Sequence, residues 1–323
     1  MSKNNDIVDF IKKNFSMARN SVWEERDFAM LLREAASHDT YTETIKSDNL
    51  PDPDTLHIRI HDTELERLHS AFFELTKNNV KKVKNKRVIL IIDITYEPFY
   101  GKSSSIYIHA YKPEKGCNGS FKFLTAFILV DDEKYFLDSV PLNVFSNETE
   151  EVEGILDRVK TMRLNVGVVL MDRWFANSLV IRLLERHKLK YLMMCKKDHR
   201  IQRILLSVKD CARMSYSVKD VRMTLVVKKT EDCDWTFFTN LGLYHLIEYI
   251  KVYRKRWNIE TGFRVQDEAR IKTKSLGIKV RYFVFLIAML LYNIWKKLRE
   301  VGVRMQFKRF LIKFFDVVDN KVT

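Results

Sequence analysis

The order of apolar and polar residues predicts two kinds of strand in this chain. Three stretches are almost continuously aliphatic or β-branched, which is typical of strands buried on both faces. They are residues 88–96, 166–172 and 190–195. Alternating or mixed apolar patterns predict further strands at residues 105–111, 121–130, 134–142, 222–228 and 235–240. The first three of these follow the 88–96 strand directly, so we expect a sequential antiparallel set.

Apolar residues at helical spacing predict the segments that connect these strands. The N-terminal 80 residues are predicted to form short polar helices at residues 7–15, 23–36 and about 54–77. Later helices are predicted at residues 148–162, 177–188 and 243–270, and two basic and apolar helices close the chain. Strands that alternate with helices around one sheet indicate the α/β fold class.

The strongest apolar run, residues 282–295, has 14 residues and includes Asn293. A membrane-spanning helix needs about 20 apolar residues, so this run predicts a buried core helix. The polar N-terminus predicts no signal peptide. Four cysteines without a Cys-x2-Cys pair are typical of a reduced compartment. We therefore expect a cytoplasmic protein with no membrane partner.

The charge of the chain favours a polyanionic partner. Its 56 Lys and Arg against 42 Asp and Glu give a net charge of +14, and 46% of the residues are hydrophobic, enough for a sizeable core. Residues 1–80 have 10 basic and 15 acidic side chains, whereas residues 271–323 have 12 basic and 3 acidic. A nucleic acid is the partner that this distribution indicates, with ordinary solubilising charge as the alternative.

Three carboxylates stand out in this pattern. Asp93 and Asp172 lie at or near the C-terminal ends of two buried strands, where a charge is costly unless it is paired or binds a metal ion. Glu260 shares one face of the 243–270 helix with Tyr253 and Arg256, a combination that suits a metal ion and a phosphate together. If the three carboxylates converge, they suit a pair of divalent cations for in-line phosphoryl transfer.

Each of these residues taken singly has a plainer interpretation. An Asp at a strand end is more often a turn or cap residue, and a charged helix face is more often solvated surface. The two strands, the Glu260 helix and the basic chain together favour the functional interpretation.

The signature Tyr253-x2-Arg256-x3-Glu260, the position of Asp93 and the step Asp172-Arg-Trp-Phe resemble the DDE transposases of insertion sequences. This resemblance implies an RNase H-like core, in which a mixed sheet is flanked by helices, with a β-rich insertion before the Glu260 helix. It divides the chain into four parts. Residues 1–80 are a helical N-terminal domain and residues 81–195 are the first part of the core. Residues 196–234 are the insertion, and residues 235–323 complete the core and include the basic C-terminal helices. Short helices around a turn leave DNA binding open for the N-terminal domain, although its negative charge counts against it.

By the same resemblance, Asp93, Asp172 and Glu260 are catalytic and bind two Mg²⁺ or Mn²⁺ ions. Water attacks a phosphodiester at the element's end, and the freed 3′-OH then attacks target DNA. Tyr253 and Arg256 orient the phosphates of that end. The implied partners are double-stranded DNA, as terminal inverted repeats and target, and a second copy of the chain on DNA. The implied setting is the nucleoid of a prokaryotic cytoplasm.

Position 267 departs from the family signature, which has a lysine where this chain has Asp267. Arg264 and Arg270 flank it by about one helical turn and would supply the missing cation; otherwise the extra carboxylate weakens phosphate binding, as in a decayed element. Two alternatives therefore stay open. One is an RNase H-like metal-dependent nuclease that cuts DNA without joining it. The other is an inactive, transposase-derived DNA-binding protein.

Two further residues are candidate DNA contacts. Trp174, beside Asp172, would stack on an unpaired base, with core packing as the alternative. Lys102 would reach a phosphate, with a solvated lysine as the alternative.

Overall fold

The strands of the protein follow the predicted order along the chain. The computed structural model describes residues 6–17, 19–131, 133–243, 245–302 and 304–314. Its strands are β1 Arg87–Phe99, β2 Gly119–Val130, β3 Glu133–Leu142, β4 Asn165–Met171, β5 Tyr191–Met194, β6 Cys211–Val218, β7 Val221–Lys229 and β8 Asp234–Thr239. Within these ranges they form one eight-stranded sheet in the order β3-β2-β1-β4-β5-β8-β7-β6.

The sheet is mixed. β1 pairs antiparallel with β2 and parallel with β4, and β4 pairs parallel with β5. β2 also pairs antiparallel with β3, which confirms the expected sequential set for the strands at residues 121–130 and 134–142. β5, β8, β7 and β6 continue the sheet in antiparallel pairs. The α/β class is confirmed. Residues 196–234 include β6 and β7, which extend the same sheet beyond β8.

Eleven α-helices accompany the sheet in the described residues. They are α1 Asp6–Asn14, α2 Glu25–Ser37, α3 Pro53–His61, α4 Leu65–Asn79, α5 Glu148–Thr161, α6 Ser178–Arg186, α7 His199–Ser207, α8 Leu246–Arg254, α9 Trp257–Gln266, α10 Ile278–Glu300 and α11 Phe307–Ile312. Local sequence explains several of their ends. Asn147 caps α5 by accepting from the Thr149 amide, and the first turn of that helix is acidic while the last is basic, as the helix dipole favours.

The prediction of a single helix at residues 54–77 is wrong, because this segment forms α3 and α4. Thr63 lies between them and is buried. Its hydroxyl donates to the carbonyl of Arg59 (3.0 Å) and is also 3.1 Å from the carbonyl of Asn14 in α1. The break therefore follows from docking against α1, which local periodicity does not show.

The strand predicted at residues 105–111 is also wrong. This segment lies in the loop between β1 and β2, and its sheet pairing is limited to one bridge between His109 and Ser120. β3 ends at Leu142, which pairs with Lys122, so only the first residues of β2 have an edge open to another partner. The open edge of β2 is therefore long enough for one bridge but too short to pair with a full strand.

The two faces of the sheet bury separate apolar cores. One core joins the sheet to α5, α6 and α7, and the other joins it to the N-terminal helices and to α8–α11. On the second face, Phe10 and Phe15 of the N-terminal region lie 5.5 and 5.6 Å from the ring of Phe283 in α10. The N-terminal helices thus share a core with the C-terminal ones.

Helix α10 is the apolar helix at the centre of this second core, as predicted, although it has 23 residues rather than 14. By length and composition it is the one described helix that would cross a membrane, but 78% of its apolar window is buried inside the protein. Asn293 in its middle uses both ends of its side chain. Oδ1 accepts from the amide of Phe136 (2.9 Å) and Nδ2 donates to the carbonyl of Phe136 (2.8 Å). The side chain thereby attaches α10 to β3, beside a register shift in the β2–β3 pairing.

Replacing Asn293 by leucine, which is similar in size, is expected to lower the free energy of unfolding by about 2–4 kcal/mol. The change leaves a buried amide and a buried carbonyl of Phe136 unpaired, each at a cost of about 1–3 kcal/mol. Urea denaturation followed by circular dichroism measures this loss. Ile312→Leu at an exposed position of α11 serves as the control and is expected to stay within about 0.5 kcal/mol. Equal stability of Asn293→Leu and the wild type would contradict the assigned role.

Candidate active site

The two aspartates lie side by side at one edge of the parallel pair β1–β4. Ile92 pairs with Met171 in register, so the next residues, Asp93 and Asp172, are neighbours across the two strands. Neighbouring strands are about 5 Å apart. β1 continues past this point, paired only with β2, whereas β4 ends. The end of β4 therefore opens a notch in the sheet with both carboxylates on its rim.

The environments of the two carboxyl groups differ. Asp93 is largely buried, and its Oδ1 accepts a hydrogen bond from the amide of Ile94 (2.9 Å). Burial raises the pKa of Asp93 to about 6, with smaller contributions in the same direction from Asp172 and Glu260 and an opposing one from Arg256. Asp172 caps the short turn that follows β4, because its Oδ1 accepts from the amide of Trp174 (2.9 Å). Ionisation of Asp93 therefore depends on compensation by a cation or by hydrogen-bond donors.

The helix predicted at residues 243–270 is broken at the site. α8 ends at Arg254 and α9 begins at Trp257, and the turn between them has tight hydrogen bonds from residue i to residue i−3. One joins the amide of Arg256 to the carbonyl of Tyr253 (2.8 Å), and another joins the amide of Ile259 to the carbonyl of Arg256 (3.0 Å). The break lies at Arg256, whose side chain contacts Asp93 of β1. A tertiary contact therefore accompanies the interruption of the helix.

Arg256 joins two of the three predicted catalytic residues. It is 7% exposed, and its Nη1 lies 2.7 Å from Oδ2 of Asp93 while its Nη2 lies 2.5 Å from Oε1 of Glu260. Its Nε is buried without a hydrogen-bond partner among the described residues. The guanidinium therefore balances part of the carboxylate charge.

Tyr253 is inside the protein rather than on the surface of the helix. It is 3% exposed and packs against Phe237 and Trp235 of β8, with ring centroids 5.2 and 6.4 Å away. Burial raises the pKa of its hydroxyl to about 12, so the phenol stays neutral. The guanidinium of Arg256 lies 5.7 Å from the centre of its ring. In this arrangement the buried ring of Tyr253 lies beside the guanidinium of Arg256. A role of Tyr253 in orienting DNA stays a prediction.

A cleft of about 590 Å³ opens beside the two aspartates. Trp174 lines it and is 54% exposed, so its ring is not part of the core. The indole N–H donates to Oε2 of Glu148 (2.5 Å), and the ammonium groups of Lys196 and Lys122 lie 5.1 and 5.7 Å from the ring centre. The hydrogen bond restrains the ring, which nevertheless stays exposed.

Lys196 and Lys197 also line this cleft and were missed by the sequence analysis. A signal for them was present, because they follow β5, the next parallel strand after β4. The C-terminal ends of parallel strands meet at one edge of a sheet, where α/β proteins place their sites. These two lysines bring positive charge to the edge that holds Asp93 and Asp172.

The remaining predicted DNA contacts do not line the cleft beside the aspartates. Arg264 is exposed on α9, and Lys102 is exposed in the loop after β1. Arg270, at the end of the α9 region, lies 3.5 Å from Oε1 of Glu97. The structure places these three side chains outside the cluster formed by Asp93, Arg256 and Glu260, and their contact with DNA stays a prediction.

The donor chemistry of the site fits a hard divalent cation. Carboxylate oxygens are the ligands that Mg²⁺ and Mn²⁺ prefer, and Asp93 and Asp172 are adjacent across the strands. Within the described part of the chain, however, no three or more acidic, His or Cys side chains are gathered closely enough to hold an ion. Arg256 stands between Asp93 and Glu260. The donor types therefore suit the implied ions, while in this structure Arg256 occupies one oxygen each of Asp93 and Glu260.

Comparison with known proteins agrees with this geometry. The family model described as a transposase DDE domain matches residues 84–294, a range that includes all three carboxylates. No curated protein is similar enough in sequence to count as a match. Among solved structures, the piggyBac transposase synaptic complex with hairpin DNA is similar with a TM-score of 0.61 and 13% identity, over 97% of this chain and 77% of that one. The Drosophila P element transposase strand transfer complex has a TM-score of 0.30 and 9% identity, over 93% of this chain and 65% of that one, too low to weigh.

The likeness to the piggyBac structure shows a shared fold, and the predicted RNase H-like arrangement of a mixed sheet flanked by helices is confirmed. The family match covers about two thirds of the residues. This protein therefore belongs to the family of transposases with a DDE domain, and it is a DNA transposase.

Proposed function

We propose that this transposase cuts DNA at the ends of a mobile element and joins the freed ends to target DNA by metal-dependent phosphoryl transfer. The observation that supports the proposal most is the placement of Asp93 beside Asp172, with Glu260 tied to Asp93 through Arg256. These residues are far apart in sequence and come from β1, the end of β4 and α9. If the aspartates were only turn or cap residues and Glu260 only part of a solvated helix face, the three side chains would not need to lie near one another.

In this proposal Asp93, Asp172 and Glu260 hold two Mg²⁺ or Mn²⁺ ions. When bound, such ions activate the attacking oxygen and stabilise the leaving oxygen of an in-line displacement. Arg256 occupies one oxygen each of Asp93 and Glu260, and the protein's own contribution is to release these contacts and turn the guanidinium toward a phosphate. The planar fork of donors on Arg256 suits the oxygens of a phosphate as well as those of a carboxylate.

The cleft beside the aspartates positions the DNA end. Trp174 offers an exposed ring on which an unpaired base stacks, and Lys196 and Lys197 offer charge to the phosphates on either side. The restraint of the indole by Glu148 keeps the ring in one orientation. Arg264, Arg270 and Lys102 contribute further phosphate contacts outside the cleft in this proposal.

The proposed partners are double-stranded DNA and a second copy of the chain. The solved complex of the piggyBac transposase contains hairpin DNA, which supports DNA as the partner of a chain with the same fold. The net charge of +14 is consistent with binding to the phosphate backbone. Joining two ends of one element requires two active sites, and one site per chain implies a homodimer on DNA.

The test of this function incubates the purified protein with supercoiled plasmid that includes the DNA flanking its gene. We expect nicked and joined products in Mn²⁺ and intact plasmid in EDTA. Gel separation distinguishes cut from joined DNA. Cutting without joining would replace the proposal by the metal-dependent nuclease. Binding without cutting in Mn²⁺ would replace it by the inactive DNA-binding protein.

A further inference from the structure

A short N-terminal segment contacts the linker between the α9 region and α10. The segment is residues 39–44, and the linker, called the α9–α10 linker below, is residues 270–277. A parallel bridge between Tyr41 and Lys272 joins the two backbones. The amide of Thr42 donates to the carbonyl of Lys272 (3.0 Å). No residue of the 39–44 segment is among the proposed catalytic or DNA-binding residues.

Glu43 adds a side-chain contact to this interface. Its Oε1 accepts from the hydroxyl of Thr273 (2.7 Å) and from the amide of Lys274 (2.8 Å), both in the linker. The Glu43 side chain is 17% exposed and Thr273 is 3% exposed, so these hydrogen bonds are largely shielded from water. Burial by itself would raise the pKa of Glu43, but hydrogen bonds, that from Thr273 first, hold the pKa below its ordinary value. The carboxylate therefore stays charged at neutral pH and accepts from residues 230 and 231 positions away.

The α9–α10 linker is also attached to β1. Glu97, four residues beyond Asp93 on the same face of β1, lies 2.8 Å from Nη1 of Arg281 near the start of α10. The Nε of Arg281 donates to the carbonyl of Ser275 in the linker (2.9 Å). Glu97 also pairs with Arg270 (3.5 Å). The linker thus contacts both the N-terminal region and the strand that contains Asp93.

Holding the linker holds the C-terminal end of α9. Ala269 and Ile271 connect α9 to the linker and are 0% and 2% exposed, in the core that includes the N-terminal helices. At the other end of α9, Arg256 contacts Asp93 of β1 (2.7 Å). The side chain of Glu260, between these two ends, is 53% exposed. Burial does not fix this carboxylate, so its position depends on how the helix that carries it is anchored.

We infer that Glu43 is a positioning residue for catalysis, because by holding the α9–α10 linker it fixes α9 and so places the carboxylate of Glu260 at the active site. The inference rests on the proposed function for the role of Glu260 as a metal ligand. A displacement of about 1 Å, even from a change far from the reacting atoms, lowers a rate by about 10²-fold. The acidic N-terminal region thereby has a function in catalysis that requires no contact with DNA.

The first test follows hydrogen exchange of the metal-free and DNA-free protein by mass spectrometry, so it does not depend on cleavage. In Glu43→Ala the linker loses a carboxylate acceptor, and we expect the amides of residues 257–275 to exchange about tenfold faster than in the wild type. The amide oxygen of Glu43→Gln still accepts from Thr273 and Lys274, so we expect exchange within about twofold of the wild type. Equally faster exchange in α5, on the other face of the sheet, would indicate a general loss of stability and overturn the inference.

The matched control is Glu64→Ala. Glu64 also joins the N-terminal region to the C-terminal part of the chain, but through Lys279 of α10 (3.2 Å) instead of the linker. Exchange of residues 257–275 in this variant is expected to equal that of the wild type. Thr273→Val removes the hydroxyl donor from the linker and keeps its shape, so it tests the same contact if Glu43→Ala impairs folding. Wild-type exchange of residues 257–275 in both Glu43→Ala and Thr273→Val would overturn the inference.

The second measurement is the Mn²⁺ concentration that gives half-maximal single-turnover cleavage. A displaced Glu260 weakens the binding of the ions, so we expect this concentration to rise about tenfold in Glu43→Ala and to stay near the wild-type value in Glu43→Gln and Glu64→Ala. DNA affinity in EDTA is expected to stay unchanged in all three variants. An unchanged Mn²⁺ dependence and rate in Glu43→Ala, despite faster exchange, would overturn the positioning role. Faster local exchange in a protein that does not cut DNA in Mn²⁺ would leave Glu43 as a residue that holds α9 and remove the proposed function.

Discussion

Replacing Asp172 by asparagine is expected to lower the rate of strand cleavage by at least about 10³-fold and to leave DNA affinity nearly unchanged. A ligand to the catalytic ions stabilises the transition state by several kcal/mol, and each 1.36 kcal/mol is a factor of ten in rate. Asparagine is a good cap, so it keeps the hydrogen bond to the amide of Trp174 that shapes the turn. Single-turnover cleavage in Mn²⁺ and anisotropy with the same DNA measure the two quantities.

The same change at Asp93 is expected to have the same effect on cleavage, because the two residues are neighbours across β1 and β4. Asp232→Asn, at an exposed position in the turn between β7 and β8, is the matched control and is expected to cut at the wild-type rate. Wild-type cleavage by Asp172→Asn would remove Asp172 from the catalytic set. If Asp232→Asn also lost cleavage, the loss would follow from the change in net charge of the protein and not from the removal of a catalytic carboxylate.

The second large effect is expected on stability. Replacing Arg256 by leucine is expected to lower the free energy of unfolding of the metal-free protein by about 3 kcal/mol. The side chains of Arg256 and Asp93 are only 8% and 13% exposed, so removing the guanidinium leaves a largely buried carboxyl group without its partner. Urea denaturation in EDTA measures this loss. Arg264→Leu makes the same chemical change at an exposed position of α9 and is expected to cost about 0.5 kcal/mol or less.

A double-mutant cycle separates the charge from the packing of Arg256. Adding Asp93→Asn to Arg256→Leu removes the unpaired buried charge, so we expect the double variant to regain roughly half of the lost stability. Divalent cations are expected to stabilise Arg256→Leu more than the wild type, because the ions no longer compete with the guanidinium. A double variant as unstable as Arg256→Leu alone would show that Arg256 acts through packing instead of through Asp93.

Several features of the site were accessible from local sequence because burial leaves a continuous apolar pattern. The runs before Asp93 and Asp172 identified β1 and β4, and a charged residue directly after such a run is visible without any structure. The spacing of Tyr253, Arg256 and Glu260 identified the third element and the family. Lys196 and Lys197 follow the same rule at the end of β5, although the sequence analysis did not name them.

Tertiary contacts decided the features that local patterns did not show. The interaction of Arg256 with Asp93 joins residues 163 positions apart and accompanies the break between α8 and α9, whereas apolar spacing alone predicted one helix. Docking of Thr63 against α1 separated α3 from α4, and the short open edge of β2 reduced a predicted strand to one bridge.

By itself, then, the sequence determined which segments become buried strands and helices and which carboxylates stand at their ends, because hydrophobic periodicity is a property of neighbouring residues. Only the tertiary structure decided that Tyr253 is enclosed, that Arg256 connects Asp93 to Glu260, and that Glu43 contacts the α9–α10 linker. The physical reason is that charge pairing and burial of polar groups depend on which distant surfaces meet, and no local period encodes that choice.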